Sequence, residues 1–494
     1  MKQTATLKFI RKHSALAPIC LIILLFIRPT YLYAEELKLP DIGDSAATAL
    51  TLTEEKMMGA AVIRNIRHAG KLVDDPLLIE YINNLGNKLV SVSNNKDYRF
   101  NFFIIDDMSI NAFALPGGYI GIHYGLITAS RNESELASVL AHEIAHVTQR
   151  HHARAYDLGK SYQVPVLAAL IAAIVLGSNG NELGQAALAS IAAGSAQMRL
   201  DFTRANEKEA DRLGIKILNK AGFDAHSMAS FFEQMYKESR LYGSQGPEFL
   251  RTHPVSQNRM AEAKLRANQM QLKQPPSSEA YYLIKQRIEI LNQPDDKALL
   301  NHYVLQLKNK TYTVREATLY GYAIALLRNK QLNQARKVIQ QLRKQAPSRI
   351  AYLITEAQIA AQSQQYAKAL YLYKSALDDY PGNTPLTLNY IEALLKQQKY
   401  GRAKSILVTH LRQPSPAPKL YKLLALIESK LGNQVATYEA LAHYYYHIGQ
   451  THQALNQVNL ALKTPSLDFY TESRLSARKK ELQDELTALA KKPS

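Results

Sequence analysis

Along most of this chain apolar residues recur every three or four positions, and they alternate in strand fashion only briefly. Residues 54–92 carry the helical pattern, broken by Asp74-Asp75-Pro76, and so predict two helices. Residues 99–105 read as a strand. Asn111-Ala-Phe-Ala-Leu-Pro-Gly-Gly118 then leads into a second strand at 119–123, and the expectation is a small antiparallel sheet beside helices. Asn132 with Glu135 three positions on is a capping-box-like start for a helix running to about His152. Residues 164–176 form an apolar run too short for a bilayer, which needs about 20 residues. It reads as a helix packed on the core or covering a cleft, with shallow membrane contact as the other reading.

Beyond residue 278 the pattern becomes one of paired helices. Ala335, Ala369 and Ala403 are 34 residues apart, as are Ile339, Tyr373 and Leu407, and Pro347 and Pro381 share the spacing. That period is the signature of tetratricopeptide repeats. The small residue lets two helices approach, the large one fills the gap between hairpins, and Pro ends the second helix. Three repeats keep register. Afterwards Ala436 arrives one residue early and Ser415 replaces Pro, so the expectation is about four repeats and a capping helix through Leu489. The stretch around Pro275-Pro276-Ser277-Ser278 reads as a linker.

The N-terminus changes the compartment. Lys2, Lys8, Arg11 and Lys12 precede an apolar run at 15–27, and Tyr31-Leu-Tyr-Ala34 precedes Glu35-Glu36; this is a secretory-signal pattern with cleavage expected after Ala34. Cys20, the only cysteine, lies inside the leader, so the mature chain has no thiol for a disulfide or a thiolate metal site. The formal charge of +18 is unevenly spread: residues 35–270 carry 24 Lys+Arg against 26 Asp+Glu, and residues 271–494 carry 31 against 16. A basic half this large first suggests nucleic acid. The export signal and the lack of a nucleic-acid motif argue against that, and a stacked repeat surface for acidic segments, partner proteins or anionic lipid fits better.

His142-Glu-Ile-Ala-His146 carries the chemistry. Positions four apart on a helix differ by about 40° around the axis, so both imidazoles reach one ion, while Glu143, about 100° to one side, can act as a base without ligating. Two imidazoles, an open position and a carboxylate suit zinc. A third ligand comes from one of two places. His152 is six residues past His146, but Gln149 stands where a Gly would turn the chain, and an unbroken helix points His152 about 240° away. His151 and His152 therefore read as surface or partner-facing residues. Asn206-Glu207-Lys-Glu-Ala-Asp211 supplies the other candidate: Glu207 and Asp211 share a helix face, giving a ligand and a supporting carboxylate or proton donor, with Glu209 facing away.

These motifs, with Asn111–Gly118 ahead of the helix and Thr252-His-Pro254 followed by Arg259, resemble the M48 zinc metallopeptidases. The leader and repeats narrow the resemblance to the periplasmic, repeat-bearing group of that family that enhances β-barrel assembly. The resemblance implies a mainly α fold: a zincin-like α+β unit with a small antiparallel sheet over 35–270, connecting helices over 271–310, and an α-helical repeat region over 311–494. It implies one zinc ion held by His142, His146 and Glu207, with Glu143 as general base and Asp211 as proton donor. His253 would either stabilise the oxyanion or block the open zinc position reversibly. The implied function is periplasmic hydrolysis of misfolded or stalled outer-membrane β-barrel proteins, with chaperone assistance to productive ones. The repeats would dock on the outer-membrane assembly machinery, with peripheral membrane association and no nucleic acid. An extended substrate would add to the strand at 119–123, where His123 is a sheet-face residue. The competing expectation is a non-catalytic scaffold or holdase with a closed or structural zinc site.

Overall fold

The computed structural model describes residues 50–95, 97–160, 196–242, 247–412 and 417–490. The leader with Cys20, the apolar run at 164–176 and part of the loop before His253 lie outside the described residues. Helix α1 (Leu52–His68) begins in a full capping box between Thr51 and Glu54. Helix α2 (Pro76–Val90) is capped by Asp75, whose carboxylate accepts from the amides of Leu77 and Leu78. The break expected at Asp74-Asp75-Pro76 is therefore a helix start.

Strands β1 (Asn101–Ile105), β2 (Ala112–Leu115) and β3 (Tyr119–His123) form one sheet in the order β1-β3-β2. The expected antiparallel sheet is in fact mixed. β2 and β3 form a hairpin through Pro116-Gly117-Gly118, both glycines at positive φ, but β1 pairs with β3 in parallel. The chain crosses from one edge of the sheet to the other before making the hairpin, because Ala112–Leu115, read from sequence as an approach segment, is itself the third strand. β3 is consequently central and paired on both sides, so it cannot accept a substrate strand; β2 is the edge strand that packs on the metal-motif helix. One face of the sheet packs Phe103, Ile105, Phe113 and Leu115 against Val62, Ile63 and Ile66 of α1. The other sets Phe102, Ile104, Ala114 and Ile122 into the main core with α2 and the motif helix.

A short helix α3 (Tyr124–Ala129) leads to α4 (Glu133–Thr148), buried along nearly its whole length. Asn132 caps it, but Glu135 reaches back to the amide and guanidinium of Arg131 rather than to the cap itself. Helices α5 (His151–Lys160), α6 (Ala196–Lys220), α7 (His226–Tyr242), α8 (Phe249–Thr252) and α9 (Gln257–Asn268) surround it, with α6 lying along α4.

The segment read as a linker is tied down. Ser277 Oγ accepts from the Glu133 amide at 2.9 Å, Ser278 Oγ donates to Glu133 Oε1 at 2.7 Å, and Tyr281 OH donates to the Ser130 carbonyl at 2.6 Å, so the junction fastens on the N-terminus of α4. Helices α10 (Glu279–Asn292) and α11 (Asp296–Asn309) follow. Then come the hairpins α12 (Arg315–Arg328) with α13 (Leu332–Gln345), α14 (Ile350–Gln362) with α15 (Tyr366–Asp379), α16 (Thr384–Lys396) with α17 (Tyr400–His410), and α18 (Pro418–Lys430) with α19 (Gln434–His447). Helix α20 (Thr451–Leu462) and the long α21 (Phe469–Ala490) make a last pair. The 34-residue alanines at 335, 369 and 403 are all buried in the second helix of their pair, beside Ile339, Tyr373 and Leu407.

The backbone keeps the period longer than the side chains do. Lys330, Gln364, Gln398, Gly432 and Ser466, each 34 residues from the last, sit at positive φ between the paired helices. Four of these turns repeat one hydrogen bond: Gln331, Gln365, Lys399 and Asn433 each donate their amide to a carbonyl five residues back, the long bond of a Schellman turn. The C-terminal helices also return to the peptidase part. Arg287 pairs with Asp75, Asn383 Nδ2 donates to Glu80 Oε1 at 2.5 Å, Arg64 of α1 pairs with Glu485 of α21 at 3.0 Å, and Arg67 donates to the His447 carbonyl. The described residues accordingly lie in one compact unit.

Candidate active site

Helix α4 carries His142, Glu143 and His146, and α6 brings Glu207 and Asp211 opposite them. Glycine sets the closeness of the two helices. A Cβ on Gly214, which shares the face of Glu207 and Asp211, would lie 3.1 Å from the His142 amide nitrogen. His142 Nε2 lies 3.0 Å from His146 Nε2 and 3.4 Å from Glu207 Oε2, and His146 Nε2 is 3.3 Å from Glu207 Oε1. Ligand atoms about 2.0–2.2 Å from a shared tetrahedral zinc stand about 3.3–3.6 Å apart; the two His–Glu207 separations fall in that range and the His–His one, at 3.0 Å, is slightly tighter.

His253 joins them. It follows α8, stacks on Phe249, and places Nδ1 3.0 Å from Glu207 Oε1 and 3.3 Å from His142 Nε2, with Nε2 3.3 Å from Glu143 Oε1. His142, His146, Glu207 and His253 are buried and offer one ligand atom each within 4.8 Å of one another, the one such group among the described residues. Both carboxylate oxygens of Glu143 are buried, Oε1 within 3.3 Å of His253 Nε2 but in no well-aligned hydrogen bond among the described residues.

The electrostatics call for a cation. Burial disfavours charge on His142, but hydrogen bonds to Asp211 and Glu207 and their negative charges prevail and raise it to about 10. Burial likewise opposes ionisation of Glu207, yet His253, His142 and His146 together hold it well below the usual carboxylate range. Asp211, also buried, is held low by two hydrogen bonds from Arg259, 2.7 and 2.8 Å, and by His142 Nδ1 at 3.0 Å. Arg259 Nη1 reaches Glu207 as well, at 2.8 Å. Asp211 thus faces the back of the His142 ring, where a carboxylate orients a metal-ligating imidazole.

Two expectations from the sequence fail here. The helix does not run to His152: α4 ends at Thr148, and Arg150 takes a left-handed φ of 51° without any glycine. Arg150 is held there by Glu55 of α1 at 2.8 Å and by the Leu50 carbonyl at 2.5 Å. The turn brings His151 back against the site. It is buried rather than on the surface, with Nδ1 2.8 Å from His146 Nδ1, and burial together with His146 and Arg154 pushes its pKa down to about 2. Glu209 does face away from the metal donors, but to accept from His151 and Arg154 at 3.1 and 2.9 Å. His152 is not a donor to the cluster, and burial pushes it down to about 4. His123 is a buried sheet residue bonded to Ser109 Oγ at 2.8 Å, outside the cluster. The sequence held one signal for His151, a third histidine five past His146, but only the αL turn makes it meaningful.

Residues 76–267 match peptidase family M48, and residues 360–427 match the tetratricopeptide repeat. The chain is 36% identical over 441 residues to the beta-barrel assembly-enhancing protease of Escherichia coli (strain K12), spanning 89% of this chain and 90% of that one. It is 36% identical over 462 residues to the putative beta-barrel assembly-enhancing protease of Vibrio cholerae, spanning 93% and 95%. The mitochondrial metalloendopeptidase OMA1 of Schizosaccharomyces pombe is 28% identical over 197 residues, 40% of this chain and 55% of that one. With the His–Glu cluster at its centre, the chain belongs to peptidase family M48, as a metalloendopeptidase related along most of its length to the beta-barrel assembly-enhancing proteases.

Proposed function

We propose that this protein is a periplasmic zinc endopeptidase that cleaves unfolded outer-membrane β-barrel proteins. The convergence of His142 Nε2, His146 Nε2 and Glu207 at 3.0–3.4 Å carries the reading. These three residues would hold the ion, which when bound acidifies a water and polarises a peptide carbonyl. Glu143, buried beside them, takes the proton of the attacking water and passes it to the departing amine. Asp211, held ionised by Arg259, orients His142; a carboxylate kept so firmly charged is a poor proton donor, so the supporting role is the one we assign. The extended substrate adds along β2.

His253 occupies the space where a fourth ligand or the attacking water would stand, and this supports the stopper role over oxyanion stabilisation. His253→Ala should then raise proteolysis; unchanged or lower activity rejects that role. The leader-like N-terminus supports the periplasmic location. Among the described residues no helix is long and apolar enough to cross a membrane. The names of the relatives support the substrate class, and the basic repeats support docking on the barrel-assembly machinery, with help to productive barrels as a second activity. Zinc content and cleavage of an unfolded β-barrel protein, compared with Glu143→Gln, test the whole. Wild type that holds zinc yet is as inert as Glu143→Gln would leave the scaffold reading instead.

A further inference from the structure

We infer that His151 and Glu209 form an outer hydrogen-bond relay that fixes the tautomer and orientation of His146, making His151 a positioning residue for the metal site. The inference rests on His142, His146 and Glu207 being the metal donors.

The two imidazoles of the HExxH pair need the same thing. To offer Nε2 to a cation, each must carry its hydrogen on Nδ1 and give it to an acceptor. His142 has Asp211 at 3.0 Å, itself gripped by Arg259. Among the described residues no carboxylate pairs with His146 Nδ1. Its Nδ1 meets His151 Nδ1 at 2.8 Å, His151 Nε2 meets Glu209 Oε2 at 3.1 Å, and the same oxygen accepts from Arg154 at 2.9 Å. Only one direction of donation serves a metal-binding His146. Its Nδ1–H donates to His151 Nδ1; His151 then carries its hydrogen on Nε2 and donates to Glu209, whose charge Arg154 balances. The chain from ring to ring to carboxylate to guanidinium leaves no polar atom of either imidazole unassigned, and the ring of His151 is buried against His146 at a centroid distance of 4.7 Å.

The backbone makes this contact possible. On a continuous helix, residues five apart point about 140° from each other, so His151 could not face His146. The left-handed turn at Arg150 resets the direction, and the buried Glu55 holds Arg150 in it. Glu55, Arg150, His151 and Glu209 thus act through one another on a single ring of the site, joining α1, α5 and α6 to α4.

The test is zinc affinity of the full chain, measured with zinc alone against a chromogenic chelator and supported by the d–d absorption of the cobalt form. His151→Ala removes the acceptor and should weaken zinc binding by roughly 10–100-fold. His151→Asn places a carbonyl oxygen near the lost Nδ1 and should recover most of the affinity and the wild-type cobalt spectrum. Glu209→Gln, at the accessible end of the relay, should fold normally and shift affinity in the same direction by less. A merely structural His151 predicts that Ala and Asn variants of equal thermal stability bind zinc equally, and that result overturns the relay. So does wild-type affinity in both His151→Ala and Glu209→Gln. Wild type that fails to bind zinc at all refutes the metal-donor assignment instead.

Discussion

Gly214 offers the sharpest test of how the two catalytic helices are held. It lies seven residues after Glu207 and three after Asp211, on the face α6 turns to α4. A Cβ there would stand 3.1 Å from His142 N, 3.2 Å from His142 Cα and 3.0 Å from the Met228 terminal methyl. Relaxed heavy-atom contacts lie at about 3.5–4.0 Å. The Met228 methyl can swing aside, but the His142 backbone cannot move without its ring, so Gly214→Ala displaces α6 from α4 by a few tenths of an ångström. Metal sites tolerate about ±0.2 Å. Helix propensity favours Ala by about 1 kcal/mol, and overpacking a tight contact costs about 1–3 kcal/mol, so net stability should change by between zero and about 2 kcal/mol of loss. Zinc affinity should fall more clearly, by about tenfold, because displacement acts directly on His142 relative to Glu207 and Asp211. Gly214→Val should be worse in both. Urea unfolding and chelator competition read the two effects separately. A Gly214→Ala protein stabilised by the full propensity gain, with wild-type zinc affinity, would refute the claim that glycine sets this spacing.

Other expectations follow from the same contacts. Asp211→Ala takes the bidentate partner from the buried Arg259, leaving it Glu207, and should cost about 1.5–3 kcal/mol in urea unfolding, whereas a loss under about 1 kcal/mol would mean the pair is not buried as described. Replacing Lys330, Gln364 or Gln398 with Gly relieves a left-handed conformation and should stabilise by about 0.5–1 kcal/mol each, read as a rise in thermal midpoint; a fall would contradict the turn assignment. His447, packed between Tyr421 and the guanidinium-rich face of α1 and α21, is pushed down to about 4 by burial and by Arg67, His443, Arg478 and Arg64. Its folded pKa lies below the unfolded value near 6.5, so the unfolded chain binds more protons between those limits. Stability should therefore be full above about pH 6.5 and fall toward pH 4 by up to about 3 kcal/mol, and His447→Gln should flatten that slope in urea midpoints taken across the range. Stripping the metal with a chelator should lower the thermal midpoint, with zinc at about 100 times its dissociation constant restoring about 2.7 kcal/mol.

The candidate metal donors were legible because helical spacing is a local rule. His142 and His146 four apart, and Glu207 and Asp211 four apart, each need only an intact turn of helix to share a face, and both helices are intact there. His151 failed for the complementary reason. Its role depends on where α4 stops, and that is decided by Glu55, nearly a hundred residues earlier, holding Arg150 in a conformation that sequence reserves for Gly or Asn. The sheet failed in the same manner: four residues of Ala112–Leu115 are too few to show a period, and whether β1 lies parallel or antiparallel to β3 depends on a crossover that no alternation pattern encodes.

The repeats separate two kinds of periodicity. Side-chain register fades after Ala403 because the later hairpins pack against other things: α19 and α21 meet α1 of the peptidase part through His447 and Glu485, so their faces answer to that surface as well as to the neighbouring repeat. The turn geometry answers to nothing outside its own hairpin. It persists at 432 and 466 because the backbone needs only a residue that can enter the left-handed region, and Lys, Gln, Gly and Ser each serve. The repeat region is therefore not an appendage. The connecting helices before it fasten to the N-terminus of α4 through Ser278 and Tyr281, and its own last helices fasten to α1, which in turn holds Arg150 at the C-terminus of α4. Both ends of the helix that carries His142 and His146 thus rest on contacts with the C-terminal helices or with the helix they hold.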